Sequence, residues 1–562
     1  MSEHQSQPTR RHLPLILIGG FGNFSTDDEK KSTYLGFNIG SAYHHKKGEN
    51  HIYEGMILRF LKSDWQYQDA TNVVFYRGKE IESEPIIPRK IKYIEEMSLQ
   101  GEALPYQLQR LKDQGIVEKF QNLQANGLFS GNRVIVDPTM ALKFLESTEE
   151  PYRSVWVFRY YDLDKRNFES YGNALVRLID CIREVAADEQ GVKPKVNIIA
   201  YSMGGLVIRQ AIQETYPQSN LQAEDYINKV VTLGTPHRGI TFQLLQDWLG
   251  TEAEKDLERM NPQNQDDIEN PNSFWNFKDY FPLERLLTVV GTNYRPYHNW
   301  SGTWLNRLFS EANEYGLNYN RSDGLVKQFA AQIPGAPRTF VHKCHGGFDS
   351  LITSRESFEV ATRFLFGNVR VRLRMVKAQI SRGKDLFGKS EFFLGVSIKP
   401  RGVDFELFHQ SKDAENCYGP FSEENLSDEN LAFPWADDNK LIWEGYLDTI
   451  PIWEDESIQP KDLVIRLDVY VGERDLLGIG FSDNLIFREQ YYIRALLTTT
   501  TPELYLHKHE LFALPDFQPE RQEMMRMVEN GWHFDVLGTG FKGRFCIEID
   551  RIPEQGQPEP LI

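Results

Sequence analysis

The chain has 562 residues, 40% hydrophobic and 12% aromatic, more than one core requires, which points to two or more folded domains. A formal net charge of -17 excludes a nucleic-acid partner, because phosphate binding needs clustered Lys and Arg, and no run of 18 apolar residues is present to cross a membrane. Four cysteines, Cys181, Cys344, Cys417 and Cys546, stand far apart with no C-x-x-C pair, which suits a reducing compartment and argues against a zinc ribbon or a disulfide scaffold.

Arg10 and Arg11 precede the apolar run Leu13 to Ile18 and imitate a signal peptide. The run is too short for an h-region, and glycines follow where a cleavage site would stand, so it reads as the first core strand of a cytoplasmic protein. A continuous apolar strand of this kind is buried on both faces of a parallel sheet. It ends in Gly19-Gly20-Phe21-Gly22-Asn23. Such a loop can cradle phosphate, but G-x-G-x-x-G is not completed and no Gly-Lys-Ser/Thr follows. Its other use is to present a backbone N–H to an oxyanion, with Phe21 as the donor.

From about Asn23 to Glu150 the periodicity degrades, and the stretch is expected to be an insertion that caps the sheet. Gln107 to Gln124 has helical spacing. His44, His45 and His51 lie among lysines and glutamate. Without cysteine or carboxylate partners they fit a solvated loop better than a metal site.

Regularity returns with the strand Ser154 to Phe158 and a helix presenting Leu175, Val176, Ile179, Ile182 and Val185 on one side. Next comes Val196-Asn197-Ile198-Ile199-Ala200-Tyr201-Ser202-Met203-Gly204-Gly205-Leu206-Val207-Ile208-Arg209, an apolar strand, a sharp turn and a helix. The pattern is G-x-S-x-G with Ala200 for the first glycine. The bare pentapeptide also fits a helix N-capped by Ser202, so its meaning depends on partners elsewhere. Lys229 to Leu233 is a further strand and runs into Gly234-Thr235-Pro236-His237-Arg238-Gly239. Alternating strands and helices imply a parallel sheet, whose ligands bind beyond the carboxyl ends of the strands.

Residues 240–283, rich in Trp248, Phe274, Trp275, Phe277, Tyr280 and Phe281, read either as a lid over an apolar pocket or as a packed surface excursion. Leu286 to Val290 is another buried strand, and Arg321-Ser322-Asp323-Gly324-Leu325-Val326 follows after a loop. The last strand, Arg338 to Val341, leads into His342-Lys343-Cys344-His345-Gly346-Gly347-Phe348, and a helix from Ser354 to Phe366 closes the domain. From Val371 onward short alternating runs separated by turn residues suit an antiparallel sandwich, and about 34 acidic against about 21 basic residues place most of the charge excess there. The expected architecture is therefore an α/β-hydrolase domain over 1–370, with a cap at about 23–150 and a lid segment at about 240–283, followed by a β-sandwich domain over 371–562.

Ester cleavage by serine needs a base for the hydroxyl proton, an acid to orient that base, and amide donors for the oxyanion. Ser202, Asp323 and His345 occur in the order nucleophile, acid, base. His345 is preferred as base because Gly346 and Gly347 permit a loop that turns its imidazole, with His237 as the rival; His342 is expected to point into strand packing. Asp162, Asp164 and Asp349 are the alternatives to Asp323, which as an Asp-Gly pair also suits a plain turn. The oxyanion donors are the amides of Met203 and Phe21.

With Ile18-Gly19-Gly20-Phe21-Gly22, Ala200 to Leu206, Leu233 to Gly239, Ser322 to Val326 and His345, the chain resembles the α/β-hydrolase lipases over about residues 13–366. Within them it is similar to the branch of the lecithin:cholesterol acyltransferases and GPI-inositol deacylases, marked by a G-H-S-M-G-G-type elbow and a G-T-P-H-x-G turn. It departs from that pattern at Gly19-Gly20, where His-Gly is usual, at Ala200 and Tyr201, and at Tyr161-Asp162-Leu163-Asp164, a partial match to Y-D-W-R. The resemblance implies a carboxylic ester hydrolase for lipid or phospholipid esters that uses no cofactor.

Lys384 to Glu391 and Glu473 to Gly478 resemble the loops of C2 domains, which implies Ca²⁺ or peripheral membrane contact for the C-terminal region; a solvated acidic sandwich that binds a protein or packs on the hydrolase is the favoured alternative. Two rivals to the esterase reading use the same scaffold: a non-catalytic membrane- or protein-binding module, and a peptidase or amidase with the same triad.

Overall fold

The computed structural model describes residues 12–20, 37, 41–45, 48–52, 55–62, 65–74, 87–126, 136–158, 160, 167–188, 190–239, 261–294, 321–347, 349–380, 390–411, 414, 416–421, 441–448, 462–475, 485–497, 501–514, 520, 523–528 and 531–552. The chain divides into two compact units, Arg10–Leu286 and Leu287–Ile562.

The first unit contains β1 (Leu15–Ile18), β2 (Ser41–His45), β3 (Gly48–Ile52), β4 (Gln68–Asp69), β5 (Ser154–Phe158), β6 (Val196–Tyr201) and β7 (Ile227–Leu233). Within it the parallel strands run in the order β4-β5-β1-β6-β7. Every residue of β1, β5 and β7 is buried, as expected of strands covered on both faces. The helix Phe168–Val185 connects β5 to β6. Asn167 caps it by accepting from Ser170 N–H at 2.8 Å, and Leu175, Leu178, Ile179, Ile182 and Val185 form its buried stripe, while Val176 is only half-buried.

The stretch expected to be a cap belongs partly to the sheet, because Gln68 and Asp69 of β4 pair in parallel with Ser154 and Val155. A two-residue strand has no periodicity to read. Five helices occupy the rest of the described stretch, at Met56–Leu61, Arg89–Gln100, Tyr106–Asp113, Ile116–Ala125 and Pro138–Ser147. The spacing seen at Gln107 to Gln124 is two helices, separated at Gly115, whose φ of 69° ends the first. His44 and His45 lie on β2 and His51 on β3, an antiparallel pair where a loop was expected.

The second unit opens with the parallel pair β8 (Leu286–Gly291, from Leu287 on) and β9 (Arg338–Val341), followed by the helix Arg355–Phe366, which Ser354 caps through Ser357 N–H. Antiparallel strands follow: β10 (Val369–Ile380), β11 (Ser390–Pro400), β12 (Phe408–His409), β13 (Tyr418–Phe421), β14 (Leu441–Leu447), β15 (Asp462–Asp475), β16 (Leu485–Leu496), β17 (Glu503–His507), β18 (Arg526–Val528), β19 (Gly531–Leu537) and β20 (Phe541–Arg551). They form one sheet in the order β14-β10-β20-β19-β18 and another in the order β12-β11-β15-β16-β17, with β13 also on β11. Rings of the two sheets meet, Phe487 with Phe541 at 5.3 Å and Tyr491 with Phe534 at 6.3 Å between centroids, which makes the pair a sandwich. β10 alternates as its sequence does. Val369, Val371, Leu373 and Met375 are buried, while Arg370, Arg372 and Arg374 face the carboxylates of Asp550 and Glu548.

The fold class is thus α/β of the α/β-hydrolase type, with parallel strands joined by helices and a C-terminal antiparallel β-rich region.

Candidate active site

Ser202 stands between the last residue of β6 and the helix Gly204–Gln210, which we call the elbow helix. It is buried, with a φ of +51°, one of four non-glycine residues in the left-handed region among the described residues. A serine held this way stores backbone strain, the mark of a nucleophile elbow. The neighbours explain how it is held. Ser202 N–H donates to Leu233 O at 2.8 Å, and the Thr235 hydroxyl donates to Ser202 O at 2.9 Å. A Cβ on Gly205 would lie 2.1 Å from Thr235 Oγ1, and one on Gly204 would lie 2.6 Å from Ile18 O and 2.7 Å from Gly19 O. Strand, turn and helix therefore approach closely only with small residues after the serine. A Cβ on Gly20 would meet Ser202 Cβ at 2.7 Å, a packing reason for glycine at that position, and Tyr160 OH fixes the same loop by donating to Gly19 O at 2.9 Å.

Met203 is fully buried at the head of the elbow helix, and among the described residues its N–H donates to no acceptor. An amide so placed, at a helix N-terminus, has the chemistry an oxyanion donor needs. Phe21, the second donor expected, lies outside the described residues, as do Asp162, Asp164 and Phe348.

Within the second unit the structure brings Asp323 and His345 together. His345 Nδ1 lies 2.8 Å from Asp323 Oδ2, and both side chains are buried. Asp323 Oδ1 accepts from Leu325 N–H at 3.0 Å and Val326 N–H at 2.8 Å, so the turn locks one oxygen and aims the other at the imidazole. A backbone bond from His345 N–H to Asp323 O, 2.8 Å, joins the two loops directly. A carboxylate only accepts, so in this contact Nδ1–H is the donor. Gly291 at the end of β8 permits this convergence: a Cβ there would lie 2.6 Å from Asp323 Cβ and 2.9 Å from Lys343 O.

The loop bearing His345 is braced on both sides. Lys343 Nζ binds Asp349 Oδ1 at 2.7 Å, which engages Asp349, one of the alternative acids, in an ion pair. Cys344 Sγ points to the carbonyls of Gly346 at 3.1 Å and Asp349 at 3.0 Å. Burial first, then the charges of Asp349 and Asp323, push the Cys344 thiol up to about 12, so it stays protonated beside the histidine. His342 Nδ1 lies 3.1 Å from Thr292 Oγ1. His237, the rival base, belongs to the first unit. Its ring is buried, Nε2 lies 3.0 Å from Thr232 Oγ1, Nδ1 has no hydrogen-bond partner among the described residues, and burial together with the nearby Arg209 charge holds its pKa well below the usual histidine range.

Two residues went unread in the sequence. Thr235 ties the G-T-P-H turn to the serine carbonyl, and its fixed place in that motif is the signal for it. Arg209 closes the elbow segment and is buried; its spacing of four from Gln213 was the available clue. As to metal, no group of three His, Cys, Asp or Glu suited to an ion occurs among the described residues, and residues 381–389 and 476–484, which hold most of the C2-like loops, lie outside them. No helix among the described residues is long and apolar enough to cross a membrane.

Residues 164–250 match a family described as "Putative serine esterase (DUF676)", which supports an ester hydrolase. No curated protein matches the chain. Among solved structures, the lipase BlEst2 of Bacillus licheniformis is 20% identical, with 37% of this chain and 78% of that one covered and a TM-score of 0.27. The phospholipase PlaB of Legionella pneumophila is 13% identical over 66% of this chain and 87% of its own, with a TM-score of 0.26. The lin2722 product of Listeria innocua is 12% identical over 63% and 94%, with a TM-score of 0.25.

Proposed function

We propose that the chain is a serine hydrolase that cleaves carboxylic esters of lipids or phospholipids, with Ser202 as nucleophile, His345 as base and Asp323 as the acid that orients it. The observation that carries this reading is the left-handed backbone of Ser202 at a strand-to-helix turn whose next amide stands at a helix N-terminus. The buried His345–Asp323 pair supplies the base and its orienter.

In this mechanism His345 Nε2 takes the Ser202 hydroxyl proton as Oγ bonds to the acyl carbon, and the Met203 and Phe21 amides hold the oxyanion. The C–O bond to the leaving alcohol then breaks as the imidazolium returns the proton, leaving an acyl-enzyme. Water, deprotonated by the same nitrogen, attacks that ester and releases the acid and Ser202. Asp323 stays ionised throughout and stabilises the imidazolium.

The lipid class rests on the motifs shared with the acyltransferase and deacylase branch and on the esterase family match at 164–250. From the change to short alternating runs near residue 371 we assign the hydrolase to residues 1–370 and the sandwich to 371–562, in a cytoplasmic protein whose sandwich is favoured as a protein-binding surface over a peripheral membrane contact. Ser202→Ala is expected to lower hydrolysis of p-nitrophenyl and phospholipid esters by on the order of 10⁴-fold and to abolish labelling by a fluorophosphonate. Undiminished turnover by the variant would refute the assignment. Amide turnover matching ester turnover would favour the peptidase reading instead.

A further inference from the structure

The end of the elbow helix holds a buried cation that the proposed reaction does not use. Arg209 is 2% exposed and lies seven residues beyond Ser202, about 10 Å along the helix axis. Its guanidinium reaches three separate pieces of the first unit. Nε donates to Gln213 Oε1 at 2.9 Å, Nη1 to His237 O at 2.6 Å, and Nη2 to Gln265 Oε1 at 3.1 Å and Asn272 O at 2.5 Å. These four acceptors are neutral oxygens, and a planar fork of five N–H groups is the side chain whose geometry serves several at once.

The helix bulges to meet this arrangement. A five-residue π-turn, Ala211–Thr215, follows the elbow helix, and Gln213 within it donates through Nε2 to Pro271 O at 3.2 Å and Ser273 O at 3.0 Å. Such bulges concentrate at functional positions. The segment so gripped is closed on itself by Ser273 Oγ donating to Gln265 O at 2.6 Å, and it is gripped again by the Arg238–Asp266 pair, 2.7 and 2.8 Å. Phe274, Phe277 and Phe281 are buried, so residues 261–281 are a packed excursion rather than a loosely held lid. His237 and Arg238 belong to the turn beyond the carboxyl end of β7, the side of a parallel sheet where ligands bind.

We infer that Arg209 is a positioning residue: it clasps residues 261–281 and the His237 turn to the elbow helix, and through that turn, which stands beyond the carboxyl end of β7, it sets which acyl chains the site accepts. The specificity part rests on the serine hydrolase reading above; the clasp does not.

The test measures hydrogen exchange and steady-state kinetics on the full chain for the wild type, Arg209→Gln, Arg209→Lys and Gln213→Leu. Arg209→Gln is expected to speed exchange of amides in 234–239 and 261–281 by about tenfold or more, with the helix Phe168–Val185 of the same unit unchanged. The lysine variant should fall between, since a point charge satisfies fewer of the four oxygens. On p-nitrophenyl esters from acetate to palmitate, KM for the long chains should rise by about tenfold relative to KM for acetate. Wild-type exchange in 261–281 of the folded variant, loss of protection spread evenly over Arg10–Leu286, or a KM ratio that does not move would each overturn the inference. If Arg209→Gln fails to fold, Gln213→Leu decides: faster exchange confined to residues near 271–273 supports the clasp, and unchanged exchange rejects it. A wild type whose Ser202 takes no fluorophosphonate sinks the hydrolase reading, while the exchange result still decides the clasp.

Discussion

At Ser202 a φ of +51° costs on the order of 1 to 2 kcal/mol for an L-residue, and the bonds to Leu233 O and from Thr235 Oγ1 hold it there. The strain persists because the surrounding atoms leave no room for the serine to relax, and Gly205 is where that room is tightest. Gly205→Ala would place its Cβ 2.1 Å from Thr235 Oγ1. We expect it to destabilise the protein by about 1 to 3 kcal/mol in denaturant unfolding and to weaken Ser202 labelling, because the displaced hydroxyl is the one that anchors the serine carbonyl. The serine-glycine pattern was legible in the sequence because an elbow restricts residue size within five positions. The contact that gives the pattern its strain, from Thr235 across 33 positions, was not.

At the scale of elements, β7 carries a buried lysine in a strand that is buried along its whole length. Lys229 is almost fully buried opposite Asn197 of β6, and burial, with the Arg285 charge adding to it, lowers its pKa to about 8. The unfolded chain keeps its proton up to the usual value of 10.5, so between pH 8 and 10.5 the unfolded state binds more protons and stability rises with pH. Below pH 8 both states are charged and the full cost of burying the ammonium is present, on the order of 3 kcal/mol. Lys229→Met is therefore expected to stabilise the fold at pH 7, with a gain that shrinks as pH rises through 8 to 10.5, as read by urea unfolding at several pH values. A gain independent of pH would show that packing, not charge, limits the strand. Apolar patterning placed β5, β6, β7 and the helix Phe168–Val185 correctly, since the strands are buried almost throughout and the helix buries a regular stripe. It failed for β4, which is two residues long, and for the β2–β3 pair.

Across the whole molecule, Cys181, Cys344, Cys417 and Cys546 are all buried and none is in a disulfide, and burial pushes the Cys181 and Cys417 thiols, like that of Cys344, up to about 12. Native protein is expected to react with none of its thiols on the timescale of a thiol-disulfide assay, to release four on unfolding, and to keep its melting temperature in reductant; a shift with reductant would reveal a bridge. By itself the sequence determined the α/β class, the order of β1, β5, β6 and β7 with the helix Phe168–Val185, and the serine-glycine turn, and it offered three residues of the types an ester hydrolase needs, because these depend on local periodicity and on chemistry that few side chains perform. Only the tertiary structure decided that His345 faces Asp323 across 22 positions, that His237 is buried against Thr232, and that Arg209 grips residues 261–281. Those are contacts between segments far apart in the chain, and one-dimensional spacing holds no measure of which loops meet.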